Sequence, residues 1–259
     1  MLMATTREIS PAIQDCQLTH LARAPIDLDR ARAQHAEYEW ALVEAGLTVR
    51  RLHAGPDMPD SVFVEDIAVI FDELALITRP GAESRRAETP AVIDALNHVQ
   101  TLYFRPLAMI EEPATLDGGD VLVVGRQVFV GLSQRTNAAG IDQLRRILGR
   151  VDYSVRVVPV QKCLHLKSAV TSIGPETLLI NRDWIPAEAF AGLELVDVHP
   201  EEPYAANALL LGDRLVYPAA FPKTRERLER RGLQVRTVDV GELAKAEGAV
   251  TCCSLIFNV

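Results

Sequence analysis

The feature that most constrains the fold of this chain is a unit of apolar strand, tight turn and apolar strand that recurs four times. It reads "IAVIFDELALI" at 67–77, "VLVVGRQVFV" at 121–130, "VTSIGPETLLI" at 170–180 and "ALLLGDRLVY" at 208–217. The turns fall near Asp72, Gly125, Gly174 and Gly212, a recurrence of roughly 40–50 residues, the range of repeated supersecondary units. Each unit continues into a helix and a further strand, such as "LTVRRL", "SVRVVPV" or "QVRTVDV". A last unit starts at "SLIFNV" and runs out of chain, so a strand from the N-terminus is expected to complete it and close a ring of five.

Helices are predicted over 27–46, 87–98, 136–148, 186–191, 221–231 and 241–246. The first has Asp27 as N-cap and Gly46 as its stop. No low-complexity linker divides the chain, so residues 1–259 are read as one domain.

The chain carries a formal charge of −8, which disfavours nucleic acid and anionic lipid as partners. No window approaches the ~18 apolar residues of a membrane span, and "MLMATTREIS" has no secretory pattern. Cysteines at 16, 163, 252 and 253 lack disulfide-framework spacing, which points to free thiols and a reducing cytoplasm.

Residues ill suited to apolar strands occupy matched places in the units. Glu65 and Asp66 precede "IAVIF", Asp117 to Asp120 precede "VLVV", His165 precedes "KSAVTSI", Asn207 precedes "ALLLG" and Cys252 precedes "SLIF". Singly, each has a plain structural explanation: "LDGGD" is a turn using the positive φ open to glycine, His165 a satisfied core residue, and Cys252 small apolar filler. Jointly, a thiol, an imidazole and several carboxylates converging at one end of a ring make a nucleophile, an acid/base and a cation receptor. In a strand, Cys252 and Cys253 face opposite ways, so only one of them serves chemistry.

The motifs "PDSVFVEDIAVI", "ALITRPGAESRR", "TLDGGDVLVVGRQVFVGLSQRTN", "CLHLKSAVT" and "TCCSLI", with "REISPAIQDCQLTHLAR" at the start, together resemble the dimethylarginine dimethylaminohydrolases of the guanidino-group-modifying (pentein) superfamily. That resemblance implies an α/β fold, a five-unit ββαβ propeller with pseudo-fivefold symmetry. It implies hydrolysis of Nω-methylated arginines to citrulline, with Cys252 as nucleophile, His165 as general acid/base and Asp117 orienting either His165 or the guanidinium. It further implies Glu65 and Asp66 around the guanidinium, and Arg85 and Arg135 on the substrate carboxylate, with Arg86 the alternative to Arg85. Asp60 and the backbone of Leu18 and Ala246 are assigned to the α-amino end.

No cofactor is implied. Zinc captured by Cys163, His165, Cys252 and Cys253 is expected only as an inhibitor, and a homodimer is the assembly considered. An arginine deiminase, a non-catalytic binder of arginine derivatives and a zinc hydrolase are the competing readings.

Overall fold

The computed structural model describes residues 1–103 and 106–258, with the side chains of 98–103 excepted. In chain order its elements are β1 (Leu2–Arg7), α1 (Leu28–Glu44), β2 (Thr48–Leu52), β3 (Ala68–Ile70), β4 (Ala75–Ile77), α2 (Thr89–Tyr103) and β5 (Leu107–Met109). There follow β6 (Val121–Val124), β7 (Gln127–Leu132), α3 (Ala138–Leu148), β8 (Ser154–Pro159), β9 (Val170–Ser172), β10 (Thr177–Ile180) and β11 (Glu194–Asp197). The chain closes with β12 (Leu209–Leu211), β13 (Arg214–Pro218), α4 (Pro222–Arg230), β14 (Gln234–Val238), α5 (Gly241–Ala244) and β15 (Leu255–Asn258).

These strands form five sheets of three, ordered β15-β1-β2, β3-β4-β5, β6-β7-β8, β11-β10-β9 and β12-β13-β14. In every sheet the central strand pairs antiparallel with the first strand of its unit and parallel with the last. The fifth sheet joins the two chain ends, with Leu2 opposite Asn258 and Thr5 opposite Leu255. The strand expected from the N-terminus is therefore β1.

Local sequence accounts for the elements. Asp27 accepts the backbone N–H of Arg30 at 3.0 Å and caps α1, an interaction worth about 1 kcal/mol. Gly125 turns β6 into β7 with φ +57°, a conformation that favours glycine. The expected helix at 186–191 is instead a single 3-10 turn, Ala187–Phe190, because Pro186 starts it and only four residues follow before the chain leaves for β11.

Apolar residues on the strands and helices pack between neighbouring units. One such layer sets Leu122, Phe129 and Val158 against Leu166, Val170, Leu178 and Phe190. The first strands of all five units, β3, β6, β9, β12 and β15, line a cavity of about 230 Å³ that marks the ring axis. Among the described residues no helix is long and apolar enough to cross a membrane.

Candidate active site

Four short turns deliver side chains to one end of the axis, each just ahead of a first strand. They are the 3-10 turns Val64–Ile67, Gly118–Asp120 and Leu166–Ser168, and the turn at 251–253. The backbone N–H of Glu65 donates to the Cys252 carbonyl at 3.1 Å, tying the first of these turns to the last. Gly118 and Gly119 do not use positive φ; their glycines are required by space. A Cβ on Gly119 would lie 2.6 Å from His165 Nδ1 and 2.8 Å from Asp66 Oδ1.

His165 is buried between carboxylates. Its Nε2 lies 3.0 Å from Asp117 Oδ2, and its Nδ1 lies 3.7 Å from Asp66 Oδ1. Burial alone would push the imidazole pKa down, but Asp66, Asp117 and Asp120 outweigh it and hold the group up at about 9. Asp117 is itself fixed by the backbone N–H of Gly81 at 2.8 Å. Asp120 is pushed up to about 6 by burial while it receives the Leu166 N–H at 2.9 Å and the Ser133 hydroxyl at 2.6 Å.

Cys252 and Cys253 lie in the turn rather than in a strand, so strand alternation does not separate them. Burial does: Cys253 is fully enclosed among Tyr38, Ala246 and Val250, whereas Cys252 is partly open. The Cys252 thiol is pushed up to about 12 by burial and by the charges of Glu65 and Asp66. Glu65 is ion-paired with Lys167 and accepts the Thr251 hydroxyl at 2.9 Å. Asn207 then locks the 251–253 turn, with its amide donating to Thr251 Oγ1 at 2.9 Å and its oxygen accepting the Thr251 N–H at 3.1 Å.

Arg85 and Arg86 sit in a 3-10 turn, Glu83–Glu88, not in a strand. Arg85 is buried and points inward, bound to Asp66 at 2.5 Å, to Glu88 at 2.9 and 3.1 Å, and to the carbonyls of Asp60 and Phe63. In this state Arg85 is the counterion of Asp66, which it and His165 hold down at about 2 against the effect of burial. Arg86 is turned to the Pro80 carbonyl at 3.2 Å. Arg135 is more open and donates to Thr19 Oγ1 at 3.2 Å. Asp60 receives the Gln17 N–H at 3.0 Å, and burial pushes its carboxyl up. Leu18 lies within this segment, and Ala246 is buried on the turn after α5.

Four carboxylates, Glu65, Asp66, Glu88 and Asp117, thus face three cationic groups, Arg85, His165 and Lys167. The excess is negative, which suits a buried monocation. Glu88, Lys167 and Thr251 carry no sequence signal of their own; Lys167 and Thr251 meet Glu65 across 102 and 186 positions.

Among the described residues the one group whose ligand atoms lie within 4.8 Å of one another is Asp66, Asp117 and His165. The expected zinc set does not gather. Cys163 turns aside to the His165 carbonyl at 3.3 Å, and Cys253 to the Ala249 carbonyl at 3.5 Å.

A family model described as N,N dimethylarginine dimethylhydrolase, eukaryotic, matches residues 12–256. The N(G),N(G)-dimethylarginine dimethylaminohydrolase of Streptomyces coelicolor is 43% identical over 254 residues, covering 97% of this chain and 95% of its own. That of Pseudomonas aeruginosa is 37% identical over 239 residues, with 92% of each chain covered. A solved structure of the Pseudomonas protein, a Cys-to-Ser variant complexed with citrulline, superposes with a TM-score of 0.91 at 35% identity over 98% of both chains. The N-terminal domain of ArgZ, at 16% identity and a TM-score of 0.84, shares the fold, covering 99% of this chain and 98% of its own.

Proposed function

The chain belongs to the dimethylarginine dimethylaminohydrolase family, and we propose that it hydrolyses Nω,Nω-dimethyl-L-arginine, and the monomethyl form, to L-citrulline and the methylated amine at Cys252. The observation that carries this reading is the buried His165, held between Asp66 and Asp117 and raised by them to about 9, with the turn of Glu65 and Asp66 tied to the Cys252 carbonyl. A general acid must be charged at neutral pH before it can protonate a leaving amine.

At rest the thiol is protonated, because burial first, and then Glu65 and Asp66, oppose a thiolate. An incoming guanidinium neutralises those carboxylates, so the thiol pKa falls when substrate is bound and its proton leaves to solvent. The thiolate attacks Cζ and forms a C–S bond. His165 gives its proton to the dimethylamino nitrogen, the C–N bond breaks, dimethylamine departs and an S-alkylthiouronium remains on Cys252. His165, now neutral, takes a proton from water as the oxygen adds to the same carbon. Collapse expels the thiolate, and the hydroxyl proton is lost as citrulline forms.

The 3.0 Å contact supports Asp117 as the group that orients His165, with Glu65 and Asp66 neutralising the guanidinium. Arg135 and Asp60 take the carboxylate and the α-amino end. Arg85 reaches the substrate carboxylate only by leaving its partners, so its main contribution is to hold Asp66 ionised. We read residues 1–259 as one catalytic domain, supported by the pairing of its two ends. Its four unpaired cysteines favour a reducing compartment such as the cytoplasm.

Citrulline release measured side by side from dimethylarginine, monomethylarginine and arginine tests the reading. Methylated substrates are expected to be strongly preferred, and a preference for plain arginine overturns it.

A further inference from the structure

Residues 17–21 form a strap held from three sides. The Gln17 N–H donates to Asp60 Oδ1 and Oδ2 at 3.0 and 3.3 Å, and Thr19 Oγ1 accepts from Arg135. The third hold is a single carboxylate. Glu247 accepts the consecutive backbone N–H groups of Thr19, His20 and Leu21 at 2.9, 2.5 and 2.7 Å. Three converging amides make an anion receptor, and here the chain's own side chain fills it. Glu247 sits at φ +59°, a conformation that costs a side-chain-bearing residue free energy and persists only when its surroundings compensate.

Two of the three holds are groups that the proposed reaction assigns to the substrate's amino-acid end. When Asp60 and Arg135 turn to the α-amino group and the carboxylate, Gln17 and Thr19 lose their partners, and Glu247 is left to fix the strap. Packing does little to replace it, because His20, Leu21 and Glu247 border a largely apolar cavity of about 300 Å³. Glu247 also directly follows Ala246, so one carboxylate ties together the two backbone segments, at Leu18 and Ala246, that the family resemblance assigns to the same end of the substrate.

Resting on that proposed function, we propose that Glu247 is a positioning residue for the amino-acid end of the substrate, clasping the strap so that the Leu18 and Ala246 backbones stay in register. It acts on affinity and leaves the chemistry at Cys252 alone.

The test compares Glu247→Ala, Glu247→Gln and Glu247→Gly in the intact protein. With dimethylarginine, KM is expected to rise roughly tenfold in the Ala and Gly variants while kcat stays within about threefold of wild type, the signature of lost binding shared by ground and transition states. The Gln variant keeps one acceptor oxygen and is expected to fall between them. Because glycine suits positive φ, Glu247→Gly should melt no lower than Glu247→Ala, which separates the clasp from mere folding. An unchanged KM in Glu247→Ala, or a loss confined to kcat, overturns the proposal. Calorimetric titration of dimethylarginine into Cys252→Ser and Cys252→Ser/Glu247→Ala proteins reads the clasp without turnover. Weaker binding in the double variant supports the clasp even where wild type releases no citrulline, and equal binding rejects it.

Discussion

Replacing Asp117 by asparagine removes one negative charge at 3.0 Å from His165 Nε2 and changes the side-chain volume hardly at all. In the wild type the carboxylates lift the imidazole from 6.5 to about 9, a preference for the charged form of about 3 kcal/mol. Asparagine can keep its oxygen on the Gly81 N–H, but its NH2 then faces Nε2 and favours a neutral imidazole with a lone pair there. Exchanging a charge-assisted hydrogen bond for a neutral one forfeits about 1–2 kcal/mol, which moves the His165 titration down by about one pH unit.

The assay is citrulline release between about pH 6 and 10. The descending limb of kcat/KM, which reports the free enzyme, is expected near 9 in the wild type, as His165 loses its proton, and near 8 in Asp117→Asn. Stability carries the same signature. Because the folded value lies above the unfolded one, the imidazolium contributes fully below about pH 6.5, and its contribution of about 3 kcal/mol is lost as pH rises through about 9. Urea unfolding across that window should show a smaller loss in the variant. A variant that folds, yet keeps its descending limb and its unfolding profile where the wild type has them, refutes the account of His165.

Gly119→Ala places a methyl against both His165 and Asp66 and is expected to lower kcat by roughly 5- to 150-fold, the equivalent of an overpacking cost of about 1–3 kcal/mol felt at the acid. Its control is Gly125→Ala, where nothing lies within 4 Å; thermal melting should show a loss of stability of about 1 kcal/mol, with citrulline formation retained. The two adjacent cysteines should separate cleanly. Cys252→Ser is expected to abolish turnover, whereas Cys253→Ser, which buries a hydroxyl in an apolar layer, keeps turnover and loses about 1–2 kcal/mol by denaturant titration. Iodoacetamide mass mapping should mark Cys252 before Cys253.

The fold was legible because it is built from local repeats: hairpin turns at Gly125 and Gly212, the capped helix behind Asp27, and a final strand lacking a partner all announce themselves within a few residues. The site was legible as a set of positions, since Glu65, Asp66, Asp117, His165 and Cys252 hold equivalent places in their units. What those residues touch was not. Strand alternation is a rule for extended backbone, and Arg85, Arg86, Cys252 and Cys253 all lie in turns, so burial and local partners, rather than alternation, divide each pair. The Lys167 partnership with Glu65, the turning of Cys163 away from any metal set, and the inward commitment of Arg85 depend on contacts between distant segments. No window of sequence contains both members of such a pair.

The pairing of β1 with β15 has a consequence for how the enzyme comes into being. The turn that carries Cys252 leads directly into β15, and β15 is anchored on β1. Bringing residues so far apart together is the most entropically demanding closure in the molecule, so it belongs late in folding. Until it happens the Cys252 carbonyl does not meet the Glu65 N–H, and the acidic receptor has no thiol within it. Citrulline-forming activity is therefore a reporter of ring closure: a population of partly assembled chains would hold most of its sheets and helices while remaining catalytically silent.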